Sequence, residues 1–127
     1  MLRTIILTLA GLVGLLAMIL GLRWLFDPAA AAAAAGMPLL EGIARSSQIG
    51  DLGALLLVSG GFTLVGIVRG QPQLLYTPLF LLGTTAIFRV LAAVFSGAAF
   101  ATTLIGIEIV LCIVIFTAQR QLIASKA

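Results

Sequence analysis

The chain has 127 residues, of which 62% are hydrophobic and 9% charged, with a formal net charge of +3 and a mean hydropathy of +1.29. A soluble domain carries roughly 25% charged residues, so this chain lacks the polar side chains to cover a water-facing surface and reads as a single integral membrane domain, 1–127. With no His, one Cys and four carboxylates (Asp27, Glu41, Asp51, Glu108), it also lacks the residue set for an ordinary zinc, haem or redox-thiol centre. No cofactor and no nucleic-acid partner is expected.

A helix crosses the hydrocarbon core with about 20 apolar residues. The first such window covers 5–26. Arg3 before an apolar run and alanines after Pro28 also fit a secretory signal, but the apolar stretch from Thr4 to Leu22 exceeds the roughly 7–15 residues of a signal core. It reads as a retained span.

The one long connection runs from Asp27 to Gln48. Asp27 can cap a helix start, Pro28 fits the first helical position, Ala29 to Ala35 have the highest helix propensity, and Gly36 before Met37-Pro38 suits a left-handed stop. A short helix on the membrane surface or against the bundle end is predicted, the alternative being a low-complexity alanine tether.

Spans two, three and four occupy 49–69, 74–95 and 98–117, with connections at Gly70–Gln73 and Ser96–Gly97 short enough to force antiparallel neighbours. The fold class is all-α: an integral membrane, up-and-down four-helix bundle with a short extracytoplasmic helix between spans one and two. Arg3, Arg69, Arg120 and Lys126 would share one side, while Arg23 and Arg45 share the other with Asp27 and Glu41. The excess of basic residues puts both termini in the cytoplasm. Trp24 and Phe26 would sit at the outer edge of span one and Tyr76 near the inner edge of span three.

Helices associate in lipid through close packing at small residues. Ala10 and Gly14, Ala17 and Gly21, Gly50 and Ala54, Gly66 and Gly70, and Ala98, Thr102 and Gly106 each recur at four-residue spacing on one face. These read first as contacts inside the bundle, with a homodimer as the alternative. Cys112 reads as a small apolar packing residue.

Two charges lie at depth, Arg89 in span three and Glu108 in span four. Each costs about 2.5–3.5 kcal/mol if isolated in the membrane, so both should face inward and find a partner. Counted from the Ser96–Gly97 turn, Arg89 lies roughly 10 Å deep and Glu108 roughly 16 Å, within reach of one arginine side chain. Thr85, Ala86, Ala92, Ala93 and Ser96 share the Arg89 face. Gln48 and Asp51 near the start of span two, with Arg23 and Arg45, complete a candidate polar cluster in the outer half: Arg23, Arg45, Gln48, Asp51, Arg89 and Glu108. Asp51 is a competing partner for Arg89. Three readings follow: a structural ion pair, a pocket for a lipid head group, quinone-like molecule or other amphiphile, and a proton or ion path. The path is disfavoured because the inner halves of the spans hold no titratable relay.

Arg45 before the Gly-containing second span, Arg89 and Gly97, Glu108 midway through the fourth span, and Asp27-Pro28 with small residues to Gly36 together resemble the bacterial family known as domain of unknown function 4345. The chain differs from that pattern at Asp51, where a second glycine is expected, and at Ser96, where an acidic residue often stands. The resemblance implies a layout similar to the DoxX group of four-helix membrane proteins, some of which accompany quinone-linked oxidoreductases, and a bacterial inner-membrane location. The residues themselves give a small structural or accessory membrane subunit, with membrane lipids and a membrane protein or second copy as partners. The alternative is a small transporter or a membrane enzyme using Glu108 and Arg89.

Overall fold

A computed structural model describes residues 1–125; Lys126, counted above with the cytoplasmic basic residues, lies outside the described residues. The helices are α1 (Leu2–Phe26), α2 (Pro28–Ala34), α3 (Gly42–Val68), α4 (Tyr76–Ser96), entered through a 3₁₀ turn at Pro72–Leu75, and α5 (Thr102–Ala124). Among the described residues there is no strand. Four helical segments are long and apolar enough to cross a membrane, and the chain is a multi-pass, all-α membrane bundle. Going round it, α1 lies beside α3 and α5, and α4 beside α5 and α3. One end carries Met1, the Arg69–Gln71 turn and Ser125, and is called here the termini end. The other carries α2 and the α4–α5 link, and is called the cap end.

The alanine segment is a helix, not a tether. The Asp27 carboxylate accepts a hydrogen bond from the Ala30 amide at 3.2 Å, Pro28 opens the first turn, and Gly36 at φ +72° takes the left-handed stop. Seven residues are too few to hold a helix in water, so its stability comes from burial of Ala31 and Ala32 on Trp24, with Leu52 and Leu56 of α3 behind. Trp24 is therefore buried, 4% exposed, rather than at the lipid interface.

Three helix ends differ by four residues or more from the hydropathy windows, one of them the end of α5, at Ala124 rather than near residue 117. The second span begins at Gly42 rather than near residue 49, because Arg45, Ser46, Ser47 and Gln48 break the apolar run without breaking the helix. The fourth begins at Thr102 rather than near residue 98. Gly97 closes α4 in the left-handed region at φ +65°, with the Gly97 and Ala98 amides both bonded to the Ala92 carbonyl, and Ala98–Ala101 stay non-helical although apolar. This shift moves Glu108 closer to the cap end. Six residues in from Thr102 put it about 9 Å deep, against about 10 Å for Arg89, seven residues in from Ser96.

The four long helices form two unlike pairs. Against α3, α1 presents Gly14, Gly21 and Trp24, and α3 answers with Gly53, Gly60 and Thr63. The backbones nearly touch. A Cβ on Gly21 would meet Leu57 N at 2.7 Å and Gly53 O at 2.8 Å, and one on Gly60 would meet Met18 N at 2.7 Å. Gly50, Gly61 and Gly106 have open space instead, so the pairing uses glycines seven apart on two facing helices, of which only the α1 members fell in the four-apart pairs. The α4–α5 pair is looser. It joins the first pair at the termini end, where Ala10, Leu75, Ile115, Ala118 and Leu122 form one buried cluster and Gln119 Nε2 donates to the Pro72 carbonyl at 3.1 Å.

Candidate functional site

Toward the cap end the two pairs spread, and a cavity of about 310 Å³ occupies the fork. Its walls are Val13, Leu16, Ala17 and Leu20 of α1, Leu52, Leu55 and Leu56 of α3, Leu81 and Leu82 of α4, and Leu104 and Leu111 of α5. Trp24, Ala35 and Met37 roof it from the cap end, and Ile115 and Thr63 lie at its floor. The hydroxyls of Thr63 and Thr85 line the cavity, but each donates to the carbonyl four residues back, Ser59 O at 2.9 Å and Leu81 O at 2.8 Å. Helical Thr hydroxyls are commonly satisfied in this way, and these leave a wall that is apolar almost throughout.

The exceptions are Ser59 of α3 and the pair on α4 and α5. Arg89 Nε donates to Glu108 Oε1 at 2.8 Å, the one ion pair among the described residues, and both residues line the cavity. The expected pairing forms, with both groups at one depth. Its geometry is single-point. Arginine can grip a carboxylate through two parallel bonds, yet here Glu108 Oε2 is buried with no hydrogen-bond partner, and Arg89 makes no second bond among the described residues. The glutamate side chain is 11% exposed and the arginine 35%. A buried carboxylate oxygen without a donor costs about 1–3 kcal/mol or more.

The remaining members of the polar cluster do other work. Gln48 is buried and bridges the loop before α3, accepting from the Leu40 amide at 2.9 Å and donating to the Pro38 carbonyl at 3.0 Å. Arg45 Nε donates to the Leu40 carbonyl at 2.7 Å. These two side chains hold the segment that carries Met37 over the cavity. Arg23, in the last turn of α1, and Asp51 are exposed, and neither side chain bonds any group among the described residues. The cluster thus separates into a buried pair, a loop clasp and two exposed charges, and Asp51 is not paired with Arg89 in this structure. Ser59, Thr63 and Met37 are cavity residues that span-level reading passed over. The polar residues Ser59 and Thr63, four apart within the apolar second span, were the available signal.

Compared with profiles of known families, with characterised proteins and with solved structures, the chain matches none.

Proposed function

We propose that this is a small accessory or structural membrane subunit that holds an amphiphile in the fork between its helix pairs, head at Arg89 and Glu108 and body in the apolar cavity. The observation that carries the reading is the buried, unpartnered Glu108 Oε2 at the polar end of an otherwise apolar cavity. Cavities of about 300–1,000 Å³ with few, convergent polar groups are the usual form of small-molecule sites. A purely structural tie would gain most from the two-bond geometry that this pair lacks. The packed termini half supports holding a molecule over passing one through, because Leu75, Ile115 and Ala118 close the bundle below the cavity.

The same proposal sets the chain in a bacterial cytoplasmic membrane with both termini inside and α2 outside. Support comes from Arg3, Arg69 and Arg120 at the termini end, against Arg23 and Arg45 offset by Asp27 and Glu41 at the cap end. Membership of the family known as domain of unknown function 4345 belongs to it too, supported by Arg45, Arg89, Gly97 and Glu108.

The test is mass spectrometry of lipids that co-purify with the wild type and with Thr85→Phe, which fills the cavity from α4, one turn from Arg89, and keeps both charged residues. The wild type should retain one amphiphile class enriched over the bulk membrane, and the folded Thr85→Phe protein should lose it. Identical lipid profiles in the two would overturn the reading.

A further inference from the structure

The central cavity has a neighbour. A groove of about 380 Å³ lies between α3 and α4, lined by Leu55, Val58 and Ser59 on one side and Thr77, Phe80, Leu81 and Thr84 on the other. Leu55, Ser59 and Leu81 line both spaces. Val58 and Phe80 are exposed, so the groove faces the lipid. Thr84 lies twelve residues in from Ser96, about 18 Å from the cap end, and so deeper than the Arg89–Glu108 pair.

Resting on the amphiphile reading, we propose that the ligand is a neutral, single-tailed amphiphile whose head offers a hydroxyl donor to Glu108 Oε2 and an acceptor oxygen to Arg89, and whose tail leaves the cavity sideways between α3 and α4. Charge fixes the first property. Arg89 and Glu108 already neutralise one another, so an anionic or cationic head would leave a net charge in a low-dielectric site. The bonding inventory fixes the second, because a carboxylate oxygen only accepts and a guanidinium only donates. Size fixes the tail count. An apolar cavity of about 150 Å³ holds one benzene ring, and the space here, about 310 Å³, is too small for a head and two full acyl chains. The path follows from the shared walls, because the side chains of Leu55, Ser59 and Leu81 stand between the cavity and the groove and their rotation opens one into the other. With its head near the cap end and its tail deeper, the ligand lies in the direction of a lipid in the leaflet on that side. A monoglyceride and a tailed hydroquinone both carry this head chemistry.

Trp24 is the one tryptophan and lines the cavity, so its fluorescence reports occupancy in nanodiscs or detergent. The probes are monoolein, a hydroquinone with one decyl tail, oleate, dioleoyl phosphatidylglycerol, hexadecane and glyceryl monobutyrate. Monoolein or the decyl hydroquinone should bind at least tenfold more tightly than oleate, the phospholipid or hexadecane, and whichever of the two binds identifies the head. Glu108→Gln, which keeps one oxygen where two are needed, should weaken that binding about tenfold. Val58→Phe, which narrows the groove, should weaken the long-tailed ligand while leaving glyceryl monobutyrate unchanged. Preference for oleate or the phospholipid, or indifference to the head, overturns the inference while the amphiphile reading stands. Weakening by Leu104→Phe on α5 with Val58→Phe silent overturns the path between α3 and α4. No response to any probe overturns both readings.

Discussion

The two helix pairs solve the same problem with different chemistry. In α1–α3 the contact is backbone on backbone: Gly14 and Gly21 leave room for Gly53 and Gly60, and many weak dispersion contacts accumulate over a long seam. In α4–α5 one hydrogen-bonded ion pair holds the cap half, where the apolar side chains are largely exposed to lipid. A seam tolerates nothing inserted into it. A single polar tie between spread helices leaves space, and the cavity lies where the two designs meet.

That contrast can be broken most sharply at Gly60. Gly60→Leu drives a side chain into the Gly14 carbonyl and the Met18 amide, both backbone and unable to rotate away. A loss of about 3 kcal/mol or more is expected, read as a collapse of monodisperse yield and a fall in Tm. Gly106→Leu, with open space around its Cβ, should leave both unchanged within the same assay. Equal effects at the two positions would mean that the seam is not what holds α1 to α3.

The ion pair should be more forgiving. Arg89→Ala leaves the Glu108 carboxylate without its one partner, but Arg89 is partly exposed, so the expected loss is about 2 kcal/mol rather than the 3–5 of a fully buried pair. Replacing both residues with leucine should recover most of that in a thermal unfolding measurement. If the double variant is as unstable as the single one, the pair carries more of the fold than the seam comparison allows.

The smallest effect is expected at the cap. Asp27→Ala removes the one side-chain bond to the start of α2 and should cost about 1 kcal/mol. Because α2 rests on Trp24 and not on the capping bond alone, hydrogen exchange at Ala30 and its neighbours should quicken while the Tm of the bundle barely moves.

Much of this architecture is written locally. The four spans, the Asp27-Pro28 start and Gly36 stop of α2, and the partnership of Arg89 with Glu108 each follow from short-range rules. What could not be read was set by distant partners. Gly53 and Gly60 are no different in sequence from Gly50 and Gly61, and only the rotation of α3 against α1 decides which pair is buried. Gln48 looked like a member of a polar cluster, and the chain bends back so that it clasps Pro38 and Leu40 instead. The starts of α3 and α5 depart from the apolar windows for opposite reasons: polar residues continue a helix beyond the apolar slab, and apolar residues after Gly97 fail to begin one.

Arg89 and Glu108 stand nineteen residues apart in one hairpin, joined by a link of only five residues, Gly97–Ala101. During synthesis this matters for the order of events. The first two spans, with their glycine seam, are made before either buried charge. The arginine emerges next and the glutamate follows within the same helical hairpin, so the two can neutralise each other before that hairpin moves from the insertion machinery into lipid. Neither charge has to enter the bilayer alone, and the later half of the chain can dock against the earlier half as an already neutral unit.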